Sequence, residues 1–221
     1  MIVTLDGPAG AGKSSTAREL ARRLGWCHMD TGAMYRTVAL VALERGVDLR
    51  DEPRLAAIAA EIVIEFRDGG VWADGRDVSE AIRTPEITAA TRPVANAAPV
   101  RAAMKEVQRR MARGIDLVTE GRDQGSEVFP DAELKVFLTA SPEERARRRL
   151  EEERRRGRSV TLEQILAAQQ DRDDGDTHRA VGAMREPEGA EVLVTDGMTH
   201  DEVIARLLEW IDRRRPAGGG R

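Results

Sequence analysis

The sequence predicts an α/β protein built on one parallel sheet, and two observations support this class. A β-favouring segment, 2–6, runs directly into a glycine-rich turn and then into a helical pattern. Similar apolar segments recur at 26–29, 117–120, 134–139 and 192–195, with amphipathic helical patterns between them. Buried strands that alternate with helices are typical of a parallel sheet covered on both faces. We therefore predict a five-stranded parallel sheet in a three-layer arrangement.

The glycine-rich turn fits the pattern G-x-x-x-x-G-K-[ST]. Its residues are Gly7, Pro8, Ala9, Gly10, Ala11, Gly12, Lys13, Ser14 and Ser15. A loop of small residues can close its backbone N–H groups around a phosphate chain, while Lys13 would neutralise the β- and γ-phosphates and Ser14 would hold Mg²⁺. A strand precedes this turn, and a helical pattern that ends at Gly25 follows it. This order favours a phosphate-binding loop over a glycine turn without a ligand, and it predicts the P-loop NTPase fold.

Composition excludes several classes of function. The 221 residues carry a net charge of −4 and only 3% aromatic residues, so a nucleic-acid polymer is an unexpected partner. Three separated histidines and one cysteine, Cys27, provide neither a metal cluster nor an internal disulfide, and Cys27 is expected in the core. Because no leader or long apolar run is visible, we expect a cytoplasmic protein without a membrane partner.

The second strand leads into a helix that carries candidate ligand residues. Thr31 is expected to cap a helix from Ala33 to Arg45. Tyr35 and Arg36 fall in its first turn, near the carboxyl end of the strand, where open α/β sheets bind ligands. Packing for Tyr35 and a solvated charge for Arg36 are the alternatives. A further helix is expected from Pro53 to Glu61.

The region 62–92 differs in character from the rest of the chain. Short strand patterns are separated here by Asp68-Gly69-Gly70 and Asp74-Gly75, which are typical hairpin turns. Antiparallel hairpins within a β/α chain indicate an inserted subdomain, or alternatively an interaction module. Helical patterns follow at 84–91, where Pro93 is expected to end the helix, and at 99–113.

The C-terminal half begins with a strand, 117–120, that places Gly121-Arg122-Asp123 at its carboxyl end. The helix 142–156 carries arginines and glutamates at spacings of three and four residues, which fits either a solvated face or a phosphate-covering lid. A helix at 161–172 then leads into the segment 172–179. After the last strand comes a helix capped by Thr199 and Glu202, and the tail 216–221 is expected to be disordered.

Besides the phosphate loop, the chain delivers a second set of charged residues to the same sheet edge. These residues are Arg36, Arg101, Arg122, Asp123, Arg172, Asp176 and Arg179. One nucleoside triphosphate does not require a second arginine cluster, whereas a second phosphorylated substrate does. Neutralising and aligning two polyanions is most of the catalytic work in phosphoryl transfer. The residues therefore indicate a kinase whose acceptor is itself a phosphate monoester.

At these positions the sequence closely resembles the bacterial cytidylate kinases, which belong to the nucleoside monophosphate kinases. The matching segments span nearly the whole chain in order. They are Gly7 to Ser14, Asp30-Thr31-Gly32-Ala33-Met34-Tyr35-Arg36, Asp77 to Arg83, Gly121-Arg122-Asp123, Val128 to Ala132, and Arg172 to Ala180. Such coverage is far more specific than a phosphate loop alone.

The resemblance implies a monomer that uses ATP with Mg²⁺ to phosphorylate CMP or dCMP. It implies a nucleoside-monophosphate-binding insertion at 62–92 and a mobile lid at 146–160. The implied roles of the site residues are as follows: catalysis by Lys13, Arg122 and Arg179; the acceptor phosphate on Arg36, Arg122, Arg172 and Arg179; the sugar hydroxyl on Asp176; the cytosine edge on Arg101 and Asp123; and further acceptor contacts from Thr31 and Tyr35.

One position departs from the family pattern. Nine residues before Arg101 the family usually has a serine that contacts the base, and this chain has Arg92. Selectivity for cytosine over uracil is therefore less firmly implied than the reaction. The alternatives are a P-loop kinase for UMP, dTMP or a small metabolite such as shikimate, and a non-catalytic nucleotide switch.

Overall fold

The structure is a computed structural model that describes residues 1–67, 69–155 and 157–215. Its helices are α1 (Lys13–Leu24), α2 (Thr31–Glu44), α3 (Glu52–Glu61), α4 (Pro85–Asn96), α5 (Ala98–Met111), α6 (Pro142–Arg155), α7 (Leu162–Thr177) and α8 (His200–Arg214). Its strands are β1 (Ile2–Asp6), β2 (Cys27–Asp30), β3 (Ile64–Arg67), β4 (Gly70–Ala73), β5 (Arg76–Asp77), β6 (Leu117–Glu120), β7 (Leu134–Thr139) and β8 (Glu191–Val194). Within this part of the chain, no helix is long and apolar enough to cross a bilayer.

The chain divides into two compact units. The first consists of Met1–Cys27, Ile115–Arg179 and the residues from Ala183 onward, and the second consists of His28–Gly114 and Ala180–Gly182. The larger sheet has the strand order β2-β6-β1-β7-β8. Strand β1 pairs in parallel with β6 and β7, and β7 pairs in parallel with β8. The predicted α/β fold with a five-stranded sheet is therefore confirmed.

The core of the first unit explains why its central strands are rich in apolar residues. Helices α1 and α8 pack against β1, β6 and β7. The side chains buried between these elements include Val3, Leu5, Leu20, Val118, Val136, Leu138, Ile204, Leu207 and Ile211. Because this core fixes the central strands, it also fixes the loops at their carboxyl ends.

The described part of the second unit combines the α-helices α2 to α5 with a small antiparallel sheet. Helix α3 packs on α5 and α2 packs on α4, while the sheet has the order β3-β4-β5. The predicted hairpin strands are thus confirmed. The role of 62–92 as an inserted substrate-binding subdomain, and that of 146–160 as a lid, stay predictions. The predicted disordered tail, 216–221, lies outside the described residues.

Four local predictions were wrong. The cap of α2 is Asp30, whose carboxylate accepts the Ala33 N–H at 2.8 Å, and Thr31 is already helical. Pro93 lies inside α4 instead of ending it. Helix α7 continues to Thr177, so the segment from Arg172 to Asp176 is helical. Cys27 is exposed, not in the core.

Candidate active site

The phosphate loop joins β1 to α1 in a conformation that only glycine adopts easily. Gly7 has φ 139°, and a Cβ placed on it would lie 2.0 Å from the Leu138 carbonyl oxygen of β7. Gly12, the residue before α1, has φ 91° and no side-chain acceptor caps the helix there. The first N–H groups of α1 are therefore available to an anion, as the predicted phosphate loop requires.

Substitution of Gly7 by alanine should strongly destabilise the fold, because the methyl group would overlap a strand carbonyl that cannot move. We expect a loss of about 3 kcal/mol or more in the free energy of unfolding measured with urea. Gly25→Ala is the matched control, since Gly25 also has positive φ, 68°, but faces open space. It should lose only about 1 kcal/mol. Equal losses in the two variants would contradict this account of the loop.

Lys13 is a buried cation directly at the loop. The residue is only 5% exposed, and its Nζ donates to the Pro8 carbonyl oxygen at 2.7 Å. Burial, reinforced by the nearby Arg122, lowers the pKa of Lys13 well below its usual range, while Glu120 and Asp6 oppose this shift. A phosphate chain bound in the loop would therefore stabilise the charged form of Lys13.

The two serines after Lys13 have different partners. The Ser14 hydroxyl donates to Oε2 of Glu120 at 2.8 Å, and the Ser15 hydroxyl donates to the Gly12 carbonyl oxygen at 2.9 Å. Glu120 ends β6 and is itself buried. The pair formed by Ser14 and Glu120 thus brings hard oxygen atoms together at the start of α1. Sequence reasoning missed Glu120, although its position just before Gly121-Arg122-Asp123 at a strand end was a usable signal.

Asp6 anchors the turn that carries Arg122 and Asp123. Its fully buried carboxylate accepts the Gln124 N–H at 2.9 Å and the Gly125 N–H at 2.7 Å. Burial raises the pKa of Asp6 to about 6, although the two N–H groups favour the charged form. The residue before the phosphate loop therefore also fixes the neighbouring site turn. This role was not predicted.

The stability contribution of Asp6 should depend on pH in a defined direction. Because its pKa is about 6 in the folded protein and 3.8 ordinarily, the folded state binds this proton more tightly. The group should therefore lower the free energy of unfolding as pH rises from about 4 to about 6, by about 3 kcal/mol at most. Urea unfolding of the wild type and of Asp6→Asn across this pH range tests the expected fall in the free energy of unfolding. A difference between the two proteins that does not change with pH would contradict the expectation.

Arg122, Asp176 and Arg179 form a braced cluster in the first unit. The Asp176 carboxylate accepts from Nε of Arg122 at 2.8 Å and from Nη2 of Arg179. Burial disfavours ionisation of Asp176, but Arg122 and Arg179 outweigh it and hold the pKa of this carboxyl below its usual range. Asp123 is buried, whereas Arg172 is exposed on α7. The structure thus brings Arg122 together with two predicted site residues that lie more than fifty positions later in the sequence.

In the second unit, Arg101 and Tyr35 are neighbours. The Arg101 guanidinium carbon lies 5.3 Å from the centre of the Tyr35 ring, and Nη1 donates to the Ala95 carbonyl oxygen at 3.1 Å. Arg101 is only 4% exposed, so this cation is held in a fixed orientation. Thr31 is buried and Arg36 is half-buried in the first turns of α2, and Arg92 is exposed on α4.

The predicted residues therefore fall into two groups. The phosphate loop, Arg122, Asp123, Arg172, Asp176 and Arg179 belong to the first unit, and Thr31, Tyr35, Arg36 and Arg101 belong to the second. Among the described residues, no cluster of three or more His, Cys, Asp or Glu side chains could hold a metal alone. The first group contains more cations than carboxylates, a charge balance that suits the binding of polyanions.

Comparison with known proteins agrees with this geometry. The family model described as cytidylate kinase matches residues 3–213. A cytidylate kinase of Rhodopirellula baltica is 48% identical over 211 residues, covering 96% of this chain and 92% of the relative. One of Chromobacterium violaceum is 43% identical and covers 98% of each chain. An uncharacterised protein of Eubacterium ventriosum, 11% identical with a TM-score of 0.54, has a similar fold over 96% of this chain and 98% of its own. The chain belongs to the cytidylate kinase family.

Proposed function

We propose that this protein transfers the γ-phosphoryl group of ATP to CMP or dCMP, giving ADP and CDP or dCDP. The observation that carries the proposal is the braced cluster of Arg122, Asp176 and Arg179 in the same unit as the phosphate loop. The loop can bind one phosphate chain, and the arginines can bind a second phosphate. Family membership supports the same reaction and the same donor.

The donor would be bound through the loop and Lys13. Residues 7–15 would enclose the β- and γ-phosphates with backbone N–H groups, and Lys13 would exchange its bond to the Pro8 carbonyl oxygen for phosphate oxygens. Such an exchange replaces a neutral acceptor with an anionic one. Phosphate binding therefore favours the charged form of Lys13, which burial alone disfavours.

The residues present fit Mg²⁺, which the family is expected to use. The Ser14 hydroxyl and the Glu120 carboxylate are hard oxygen donors 2.8 Å apart, and Mg²⁺ prefers such ligands. Ser14 would hold the ion directly, with Glu120 orienting that hydroxyl. When bound, Mg²⁺ would neutralise charge on the β- and γ-phosphate oxygens.

The acceptor phosphate would be held by Arg36, Arg122, Arg172 and Arg179. Its oxygen is already anionic, so in-line attack on the γ-phosphorus needs no general base. A bond forms from the acceptor oxygen to this phosphorus, the bond to the bridging oxygen breaks, and ADP leaves. The arginines would offset the charge of both reactants, and closure of the proposed lid, 146–160, would exclude water.

Base selection would rest on Arg101 and Asp123, with Asp176 on the sugar hydroxyl and Thr31 and Tyr35 as further contacts. Buried polar groups that pair with one base edge are left unpaired by another, so discrimination can be large. Because Arg92 replaces the usual serine, selectivity for cytosine over uracil is the feature most open to change in this chain. We further propose a monomer acting in the cytoplasm, where both nucleotides occur.

Steady-state kinetics test the function directly. ADP release should be measured with ATP and Mg²⁺ against CMP, dCMP, UMP, AMP, dTMP and shikimate. We expect kcat/KM for CMP and dCMP to exceed that for the other acceptors by about tenfold or more. Preference for another acceptor would reassign the substrate. Nucleotide binding without turnover on any acceptor would favour a nucleotide switch. Sedimentation of the same preparation tests the monomer.

A further inference from the structure

Two side chains hold both backbone groups of one residue in the phosphate loop. The Ala9 N–H donates to Oδ1 of Asp173 at 3.3 Å, and the Ala9 carbonyl oxygen accepts from Nη1 of Arg145 at 2.9 Å. The same Nη1 donates to Oδ2 of Asp173 at 2.6 Å. Arg145 and Asp173 together are called the Ala9 clamp below. Neither residue was predicted to belong to the site.

The Ala9 clamp differs from the many surface ion pairs of α6. The Arg145 and Asp173 side chains are 7% and 17% exposed, whereas those of Arg149 and Glu152 in the same helix are 44% and 49% exposed. Nε of Arg145 also donates to the Ala140 carbonyl oxygen at 3.1 Å. A buried pair with several backbone acceptors has one geometry, whereas an exposed pair exchanges freely with water.

The loop is shaped to accept the clamp. A Cβ placed on Gly10 would lie 3.3 Å from the Arg145 Cβ atom, and Gly10 has φ 80°. A larger residue would push α6 away from the loop. Contact between helix α6 and residues 9 and 10 therefore depends on the small residues of the phosphate loop itself.

The clamp also connects the loop to the helix of the braced cluster. Asp173 follows Arg172 on α7 and precedes Asp176 by three residues, less than one helical turn. A shift of α7 relative to the loop would therefore break the bonds to Ala9. The ion pair thus joins the donor loop to the helix that carries Arg172 and Asp176.

We propose that Arg145 and Asp173 are positioning residues, which fix the phosphate loop at Ala9 and set the distance between this loop and Arg172 and Asp176 of α7. This inference rests on the proposed function, because it assigns the two ends of the clamp to donor and acceptor phosphates. Removing the Asp173 charge leaves Arg145 buried without its carboxylate and weakens the acceptor of the Ala9 N–H, so the backbone at Ala9 is held less firmly. Misplacement of the two phosphates then slows the transfer step.

The test compares Asp173→Asn with Asp171→Asn in the full chain, using ADP release with ATP and CMP. Asp171 is an exposed carboxylate on the same helix and serves as the matched control. We expect Asp173→Asn to lower kcat by about tenfold and to raise KM for both ATP and CMP, while Asp171→Asn matches the wild type. A purely structural role would reduce the active fraction and leave both KM values unchanged.

A double-mutant cycle provides the second readout. Arg145→Lys retains a charge but cannot donate to Ala140, Ala9 and Asp173 together. Because both residues act through one ion pair, the double variant with Asp173→Asn should be no slower than the slower single variant. Thermal unfolding of each variant shows whether it is folded, and Arg145→Lys is sufficient to test the KM shift if Asp173→Asn does not fold.

The outcomes separate the two proposals. A wild type without CMP-dependent ADP release would overturn the proposed function. An active wild type with folded clamp variants whose KM values are unchanged, or with additive losses in the cycle, would overturn only the positioning role.

Discussion

Lys13→Ala should lower kcat/KM for phosphoryl transfer by about 10²- to 10³-fold, the loss typical of removing one preorganised charge from the reacting groups. The lysine is buried at the loop, where water cannot replace it. ADP release with saturating CMP and varied ATP measures the effect. It should appear in kcat as well as in KM, because the charge on the leaving group grows during transfer.

A matched lysine separates this effect from a general loss of charge. Lys135→Ala removes a lysine of strand β7 whose Nζ donates to the Pro130 carbonyl oxygen, and the kcat/KM of this variant should stay at the wild-type value. Since burial disfavours the Lys13 cation, its removal costs little stability. The unfolding temperature of Lys13→Ala should therefore be at most a few degrees below that of the wild type. Near wild-type turnover in Lys13→Ala would remove the lysine from the mechanism.

Asp176→Ala should be the next most damaging substitution, with a fall of about 10²-fold in kcat/KM for CMP. Its carboxylate braces Arg122 and Arg179, so its loss leaves two neighbouring guanidinium groups to repel each other. The variant should also lose about 2 kcal/mol or more of unfolding free energy, because one partner of a largely buried pair is gone. Kinetics and urea unfolding of the same preparation measure both effects.

Asp174→Ala, an exposed carboxylate on the same helix, is the control for Asp176→Ala and should match the wild type in both measurements. If Asp176 also binds the sugar, Asp176→Ala should weaken CMP more than an analogue lacking the sugar hydroxyl. Equal weakening of CMP and of the analogue would mean that Asp176 only braces Arg122 and Arg179.

The stability contributed by Asp176 should change with pH in the opposite direction to that contributed by Asp6. Because the pKa of Asp176 lies below its ordinary 3.8, the stabilisation it provides is complete above that pH and is lost as pH falls further. The stability difference between the wild type and Asp176→Ala should therefore shrink only below about pH 4. A difference that already shrinks between pH 7 and 5 would contradict the assignment.

The parts of the fold that could be predicted are those in which burial leaves a continuous pattern. Strands β6 and β7 occupy the predicted residues, because their buried positions are mostly apolar and follow one another closely in the sequence. Pro93 was misleading for a local reason. It lies near the end of α4, where the Ala89 carbonyl group that loses its N–H partner belongs to an exposed residue and can bind water.

The candidate site was predictable where a motif carries it and not where main-chain contacts build it. The phosphate loop and Gly121-Arg122-Asp123 follow strands directly, so their positions could be derived from the sheet. Asp6 and Asp173 bind backbone N–H groups 118 and 164 residues away in the sequence. Main-chain partners impose no residue type on the other side, so such contacts leave no trace in the sequence.

The exposed position of Cys27 has a practical consequence. The sequence contains one cysteine, and its side chain is open to solvent at the end of the first segment of the first unit, just before His28 begins the second unit. A thiol-reactive fluorophore would therefore label the native chain at one defined point, with no engineered cysteine and no competing sulfhydryl. The emission of such a dye at this junction can be followed while either nucleotide is added.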